Sequence, residues 1–397
     1  MLQYKPISII LINICLASLG IITTFYESNI PISVLPIIYG IAIFGAALLI
    51  SWSAESSEKD ISGSFVIALI ALIAVLPEYS IESILAYTAG KSFKNNNFVY
   101  TDRVGYVSAN VTGANRLLSG LGWPLIMLIN IYRNQKTTNV IKDNNLEIII
   151  ISIGLSSMIL NSILSFQSLF ISAILIVCYI FYLYITSKKE SHDSEFVGIS
   201  KYLTELKKST RISINLLLIA FSALSIFMVS HPFVESLIHI GEKLGIDEYY
   251  LIQWLAPLAS ESPEILIAGL FAFRNKPLES IAIILSSQAN QMSLLIGSMG
   301  GIFAFATNKF VSFPINHTQG VEFLLTSAFA LLQIAIIARG SFNKKIILSM
   351  ILLFLTQLIF TNTDFKLYLS ILLLCISVSL IANTFIKKYF KSVNLNK

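Results

Sequence analysis

Two glutamates lie beside prolines inside apolar segments that are longer than the roughly 20 residues a membrane-spanning helix needs. Glu78 follows Pro77, and Glu264 follows Pro263. A carboxylate in the membrane interior costs about 2.5–3.5 kcal/mol even on mild scales, so each glutamate is a candidate functional residue. A proline there frees backbone carbonyls, which are tolerated only where they face protein or a water-lined cavity. This chemistry, present twice, predicts a transport site rather than a structural accident.

The predicted ligand of such a site is a hard cation. Calcium takes about 6–8 oxygen ligands from carboxylates, amide and backbone carbonyls and water. Glu78 and Glu264 are the predicted metal ligands, and Pro77 and Pro263 would release carbonyls beside them. Two facing carboxylates repel when the ion is absent, which couples the release of one ion to the uptake of others. The further candidate cation ligands are Asn110, Asn290, Glu261, Glu82, Ser260 and Ser286.

Two of these candidates are acidic and have more than one reading. Glu82 comes four residues after Glu78, and Glu261 comes three before Glu264, so each shares a helix face with its neighbour. Either residue could be an extra ligand or a proton carrier. Glu82 could instead form a structural ion pair with Arg116, the only basic residue inside a predicted span.

Composition places the chain in the membrane. Of its 397 residues, 55% are hydrophobic and 12% are charged, and the mean hydropathy is +0.77. Ordinary soluble domains carry about 25% charged residues. The predicted fold class is therefore an all-α polytopic membrane protein whose partners are the lipid bilayer and inorganic cations. The net charge of +5 does not indicate nucleic acid, because the basic residues lie in loops between spans. The chain is expected to be a monomer or homodimer.

A hydropathy window of about 19 residues predicts about 12 transmembrane helices. Twenty Lys and Arg residues fall in one set of alternate loops and termini, and six fall in the other set. Positive residues favour the cytoplasmic side, so both termini are predicted to be cytoplasmic, with the protein in the cell membrane. The predicted spans are 7–26, 31–53, 62–89, 104–131, 146–166, 168–187, 211–234, 249–273, 279–307, 320–338, 344–361 and 366–386.

The two Pro-Glu segments are the third and eighth predicted spans. Because they are five spans apart, the second copy enters the membrane from the opposite side, which is the signature of inverted repeats. When Pro77 is aligned with Pro263, the two glutamates coincide, and Asn110 and Asn290 occupy matching places in the next spans. A Pro-Glu pair and a buried asparagine at corresponding depth are rare enough to indicate a true internal repeat.

These motifs resemble those of the cation/calcium exchanger superfamily, and most closely its prokaryotic sodium:calcium or sodium:proton exchanger-like members. In that family each repeat carries a Pro-Glu motif on one helix and a Gly-Asn-x-x-Gly-Ser-Asn motif on the next. Here the first repeat has Ala-Val-Leu-Pro-Glu at 74–78 and Ala-Asn-Val-Thr-Gly-Ala-Asn at 109–115. The second has Ser-Glu-Ser-Pro-Glu at 260–264 and Ala-Asn-Gln-Met-Ser at 289–293.

The resemblance implies ten core helices in two inverted five-helix repeats, with one extra helix at each end. It also implies alternating access to an ion bound at mid-membrane. The implied boundaries are an extra N-terminal transmembrane helix at 1–28, a first repeat at 29–187 with its motif at 70–120, a cytoplasmic linker at 188–210, a second repeat at 211–361 with its motif at 256–300, and an extra C-terminal helix with a basic tail at 362–397.

The predicted function is secondary active exchange of Ca²⁺ for Na⁺ or H⁺, without a cofactor. The family usually has Ser or Thr just before Pro-Glu, and Ala74 and Val75 replace them in the first repeat, which leaves the coupling ion open. A monovalent Na⁺/H⁺ antiporter on the same fold is the alternative. An intramembrane carboxylate enzyme is a poorer fit, because no aspartate lies in a predicted span core and no span holds a His-x-x-Glu pair.

Overall fold

The computed structural model is almost entirely helical. It describes residues 4–27, 30–57, 59–60, 76–133, 144–188, 196, 198–340 and 342–395. The helices are α1 Tyr4–Phe25, α2 Leu35–Ser57, α3 Leu76–Asn95, α4 Asp102–Arg116, α5 Trp123–Tyr132, α6 Asn145–Leu164, α7 Leu169–Lys188, α8 Gly198–Thr204, α9 Lys208–Leu244, α10 Glu248–Phe273, α11 Pro277–Asn290, α12 Ile296–Thr307, α13 His317–Arg339, α14 Lys344–Ile359 and α15 Thr363–Leu395.

Two π-helical turns interrupt the helical runs that follow the Pro-Glu segments. Leu117–Gly122 joins α4 to α5, and Gln291–Leu295 joins α11 to α12. Such turns occur often at functional sites, because they locally widen a helix and redirect its side chains. Both turns lie within the predicted spans that carry the asparagine motifs, at 104–131 and 279–307.

Eight of the described helices or helical runs are long and apolar enough to cross a membrane. Helix α10 would make a ninth, because its segments Glu248–Ser262 and Glu264–Phe273 are bent by 50°. A bend there is consistent with the helix-breaking role predicted for Pro263. The first part of the predicted third span, residues 62–75, lies outside the described residues, so the count of twelve stays a prediction.

The first compact unit comprises residues 1–110, 177–266 and 301–310. Helix α2 packs against α1 and α9, and α9 also contacts α3. Gly90 allows α3 to approach the 301–310 segment, since a Cβ at this position would lie 2.6 Å from the Phe303 carbonyl oxygen. This close approach fixes the helix that carries Glu78.

The second compact unit comprises residues 111–176, 267–300 and 311–397. Helix α13 packs between α6 and α15. Helix α6 lies so close to the Gln291–Leu295 turn that a Cβ at Gly154 would be 2.2 Å from the Met292 carbonyl oxygen. A short antiparallel pair of strands, β1 (Phe166–Gln167) and β2 (Phe313–Pro314), joins Phe166 to Pro314 and Gln167 to Phe313.

The predicted boundary between the fifth and sixth spans is confirmed. Helix α6 ends at Leu164, Ser165 adopts a positive φ of 62°, and α7 begins at Leu169. The turn has no glycine or charge, so the apolar pattern alone marked it weakly.

Helix α9 is longer than predicted. It continues past the predicted end at residue 234 to Leu244, with Pro232 inside the helix. Its last turns bury Leu237 and Ile240, and it stops at Gly245, whose φ of 65° provides a left-handed C-terminal cap. Tertiary packing of these apolar residues overrides the stop signal that proline gives in sequence.

The predicted linker 188–210 contains a short helix. Its residues 198–204 form helix α8, which buries Ile199 and Leu203 against Leu48, Leu49 and Trp52 of α2. An amphipathic helix of two turns has too weak a periodic signal to stand out among the surrounding charged residues.

A salt bridge fixes the start of α9. The guanidinium of Arg211 forms two bonds of 2.5 Å with the Asp60 carboxylate, and both side chains are at most 7% exposed. Arg211 also donates to the carbonyl oxygens of Thr204 and Leu206. The hydrogen bonds from Arg211 hold the pKa of Asp60 below its ordinary value.

We expect this pair to make stability depend on pH in the acid range. A carboxyl whose pKa is lowered by folding stabilises the protein above its unfolded pKa of about 3.9, and that stabilisation is lost as pH falls through the lowered value. Asp60→Asn should cost about 1–3 kcal/mol near neutral pH, because Arg211 loses its charged partner. The melting temperature of the Asp60→Asn variant in detergent should then fall less steeply than that of the unmodified protein below about pH 4.

Glu242→Gln, at an exposed site, is the control. Parallel acid profiles for the Asp60→Asn variant and the unmodified protein would contradict this role.

Candidate cation site

Three carboxylates meet in the first compact unit. Glu78 lies in the first described turn of α3, and Glu261 and Glu264 lie on α10. One carboxylate oxygen from each residue can be chosen so that all three atoms lie within 4.8 Å of one another. Because Glu261 and Glu264 are three residues apart, α10 directs both side chains toward the same side. The pair of glutamates predicted to meet, Glu78 and Glu264, is therefore brought together, and Glu261 joins it.

Burial makes this cluster electrostatically costly unless a cation or protons neutralise it. Glu78 is 3% exposed, Glu261 is fully buried, and Glu264 is partly buried. The Oε2 atom of Glu264 is shielded from solvent and has no hydrogen-bond donor among the described residues. Carboxylates this close cannot all stay ionised in a medium of low dielectric constant. Their oxygens, in a group of three, are the ligands that hard cations prefer.

Glu82 lies one helical turn beyond Glu78 and is fully buried. Its Oε2 accepts a hydrogen bond of 2.8 Å from the Asn110 side-chain nitrogen on α4. Its Oε1 has no donor among the described residues. This contact turns the amide nitrogen of Asn110 toward Glu82 and its carbonyl oxygen away. That oxygen is thereby available to a cation.

The predicted alternative, an ion pair between Glu82 and Arg116, is wrong. Arg116 pairs with Glu322 of α13, and Lys366 of α15 donates to the other oxygen of Glu322 at 2.6 Å. Arg116 also donates to the side-chain oxygen of Gln357 at 3.2 Å. These four side chains are at most 2% exposed and belong to the second compact unit.

Sequence reasoning missed this buried cluster. Glu322 is the one acidic residue within the predicted tenth span, which was a usable signal. Lys366 is the first residue of the predicted twelfth span at 366–386, so the sequence predicts it at the edge of that span. Helix α15 in fact begins three residues earlier, at Thr363, and buries it.

The other predicted site residues are distributed over both units. Ser260 is buried on α10, and its hydroxyl lies 3.3 Å from the Ala256 carbonyl oxygen, which leaves its lone pairs able to accept a cation. Pro77 is buried beside Glu78. Asn290 is the last residue of α11 and is buried, whereas Ser286 on the same helix is exposed; both belong to the second unit. The roles of Ser286 and Asn290 stay predictions.

The fold is helical with several helices long and apolar enough to cross a membrane, and it groups three carboxylates from α3 and α10. Residues 30–188 and 214–363 match the family described as sodium/calcium exchanger protein. The chain belongs to this family, which confirms the resemblance found in the sequence motifs.

Solved structures extend the comparison. The H⁺/Ca²⁺ exchanger CAX is 31% identical, with 99% of this chain and 98% of that chain covered and a TM-score of 0.87. The protein YfkE is 16% identical over 94% of this chain and 99% of its own, with a TM-score of 0.64. The sodium-calcium exchanger NCX_Mj is 14% identical over 82% and 98%, with a TM-score of 0.53. The last two show a shared fold only. A comparison with curated proteins gives no match.

Proposed function

We propose that this protein is a secondary active antiporter that carries Ca²⁺ across the membrane in exchange for H⁺ or Na⁺. The observation that carries the proposal is the grouping of Glu78, Glu261 and Glu264 within 4.8 Å. Membership of the sodium/calcium exchanger family and the likeness to a structure named as an H⁺/Ca²⁺ exchanger support it. The named relatives are transporters, and inorganic cations are the substrate class they indicate.

The charges of the cluster give the exchange its physical basis. Calcium neutralises two carboxylates and draws the third into its shell as a further oxygen ligand. When calcium leaves, the buried negative charges repel each other. Protons or monovalent cations must therefore bind before the site can become exposed to the other side of the membrane. Protons suit this step best, because a protonated carboxyl needs few additional ligands, and Ala74 and Val75 do not supply the hydroxyl groups that usually precede Pro-Glu.

The proposed architecture is twelve transmembrane helices in two inverted five-helix repeats with one extra helix at each end. The repeated Pro-Glu and asparagine motifs support it, as do the π-helical turns that follow α4 and α11. We place the protein in the cell membrane. The excess of basic residues in one set of alternate loops supports an orientation with both termini on the cytoplasmic side. Alternating exposure of the carboxylates to the two sides follows from rocking of one repeat against the other.

The proposal is tested by calcium uptake into proteoliposomes under two imposed gradients. We expect an outward proton gradient to drive uptake of radioactive calcium and a protonophore to abolish it. An outward sodium gradient at constant pH would drive uptake instead if sodium were the counter-ion. Uptake under neither gradient would contradict calcium exchange, and sodium-dependent proton flux without calcium movement would favour the monovalent antiporter.

A further inference from the structure

A polar cavity, the α3–α9 cavity, lies in the first compact unit at the end of α3 that is remote from Glu78. Its volume is about 640 Å³, and all nine residues that line it have polar side chains. Four of these side chains are titratable, namely Lys91, Arg103, His231 and Glu235. Because Lys91 comes thirteen residues after Glu78, about 20 Å along the helix, the cavity is separate from the carboxylate cluster.

The charges of the α3–α9 cavity favour an anion. Lys91 and Arg103 are positively charged, and Glu235 is negatively charged. With His231 neutral, the lining keeps one unit of positive charge. The Lys91 ammonium lies 4.5 Å from the centre of the Tyr87 ring and makes no hydrogen bond or ion pair among the described residues. This ammonium is therefore available to a ligand.

Two contacts fix the other donors of the cavity in place. Arg103 donates to both carboxylate oxygens of Glu235, at 2.6 and 3.1 Å. A guanidinium has five N–H groups, so three remain for a ligand. Ser92 on α3 donates to the Thr101 hydroxyl at 3.1 Å, which leaves the hydroxyl hydrogen of Thr101 free to donate. An ammonium, a guanidinium and a hydroxyl are suitable donors for the oxygens of a phosphate group.

The position of the cavity along its helices corresponds to the level of lipid headgroups. On α9, His231 comes twenty residues after Arg211, about 30 Å along the helix, which is the thickness of the hydrocarbon core. An exposed aromatic side chain lies one turn deeper on each helix. Tyr87 precedes Lys91 by four residues and is 38% exposed, and Phe227 precedes His231 by four and is 73% exposed. Residues four apart share a helix face, so apolar surface lies directly below the polar cavity.

We propose that the α3–α9 cavity binds the headgroup of an anionic phospholipid. The lipid phosphate lies against Lys91 and Arg103, and the acyl chains cover Tyr87 and Phe227. A phosphodiester carries one negative charge, which matches the single positive charge of the lining, and basic pockets between membrane helices are suited to such headgroups. Free phosphate shares the headgroup chemistry but makes no use of the aromatic surface. The lipid site does not rest on the proposed calcium exchange.

The site is tested by native mass spectrometry of the full-length protein in detergent with increasing phosphatidylglycerol, which gives the fraction of protein that retains the lipid. Lys91→Gln removes the available ammonium. We expect this variant to bind phosphatidylglycerol at least about fivefold more weakly, since one basic residue near a membrane surface contributes about that factor to the binding of anionic lipid. Asn95→Asp should weaken binding in the same way, because it adds a negative charge to the lining and keeps every positive one.

Lys243→Gln is the matched control, because it removes the same charge from an exposed residue of α9 outside the cavity. It should bind phosphatidylglycerol as the unmodified protein does, and phosphatidylethanolamine, which has no net charge, should bind more weakly. Equal binding of phosphatidylglycerol to the unmodified protein, Lys91→Gln and Asn95→Asp would overturn the site, as would equal binding of the two lipids. Inorganic phosphate that displaces phosphatidylglycerol at the lipid's own concentration would assign the cavity to free phosphate and overturn the lipid site.

Discussion

Calcium transport is expected to fall to background when Glu78 or Glu264 is replaced with glutamine. Each substitution keeps the shape of the side chain and removes one of the negative charges that gather within 4.8 Å. Residues that only orient metal ligands typically cost 10–100-fold when they are mutated, so loss of a direct carboxylate ligand should cost at least about 100-fold in calcium uptake. Glu261→Gln should have an effect of the same kind, because its carboxylate belongs to the same group.

The measurement is uptake of radioactive calcium into proteoliposomes under a proton gradient, with variants matched for the amount of folded protein. Glu279→Gln is the control, since Glu279 is exposed at the start of α11. Removal of one of several mutually repelling buried carboxylates relieves strain, so the variants should fold at least as well as the unmodified protein. Near-normal flux in both Glu78→Gln and Glu264→Gln would remove these residues from the site.

The principal carboxylates of the site could be predicted because a glutamate inside an apolar span is energetically costly, and such a residue is easily recognised in the sequence. A glutamate beside a proline in an apolar span has few structural explanations, and Glu78 and Glu264 showed this twice. Their meeting required the further step of treating the two segments as copies of one element. Glu261 followed from helical spacing alone, since three residues place it on the face of Glu264.

The partner of Arg116 could not be identified in the same way. Glu82 lies in the neighbouring predicted span and was the partner considered, but Arg116 pairs with Glu322, about two hundred residues further along the chain. A hydropathy value is a mean over about 19 residues, so one charged residue within a span changes it little. In addition, no local sequence pattern shows which helices pair when they are distant in sequence. The hydrogen bond between Asn110 and Glu82 was hidden for the same reason.

The number of spans shows a related limit. Windows of apolar residues predict twelve spans, yet eight helices or helical runs among the described residues meet a length and composition test, or nine with the bent α10. The run from α4 to α5 carries Asn110, Asn115 and Arg116, and these polar residues lower its hydropathy. Functional helices therefore look least like membrane spans, because the residues that do the chemistry are the polar ones.

The second large effect is expected at Glu322. This carboxylate holds two buried cations, with Arg116 on one oxygen and Lys366 on the other at 2.6 Å. Glu322→Gln leaves both positive charges in a membrane interior without their counter-charge. Breaking a buried ion pair by removing one partner typically costs about 3–5 kcal/mol, and here two cations lose the same partner. We expect the variant to accumulate poorly and to melt at a much lower temperature in detergent.

Lys366→Met separates loss of charge balance from loss of packing. It removes the second cation and leaves Arg116 and Glu322 as a one-to-one pair, and methionine keeps most of the length of the lysine side chain. This variant should fold nearly as well as the unmodified protein, and adding it to Glu322→Gln should recover part of the lost stability. The cluster stabilises α13 and α15 by charge balance only if the double variant melts above the single Glu322→Gln variant. A double variant that melts below it would mean that Lys366 stabilises α15 independently of Glu322.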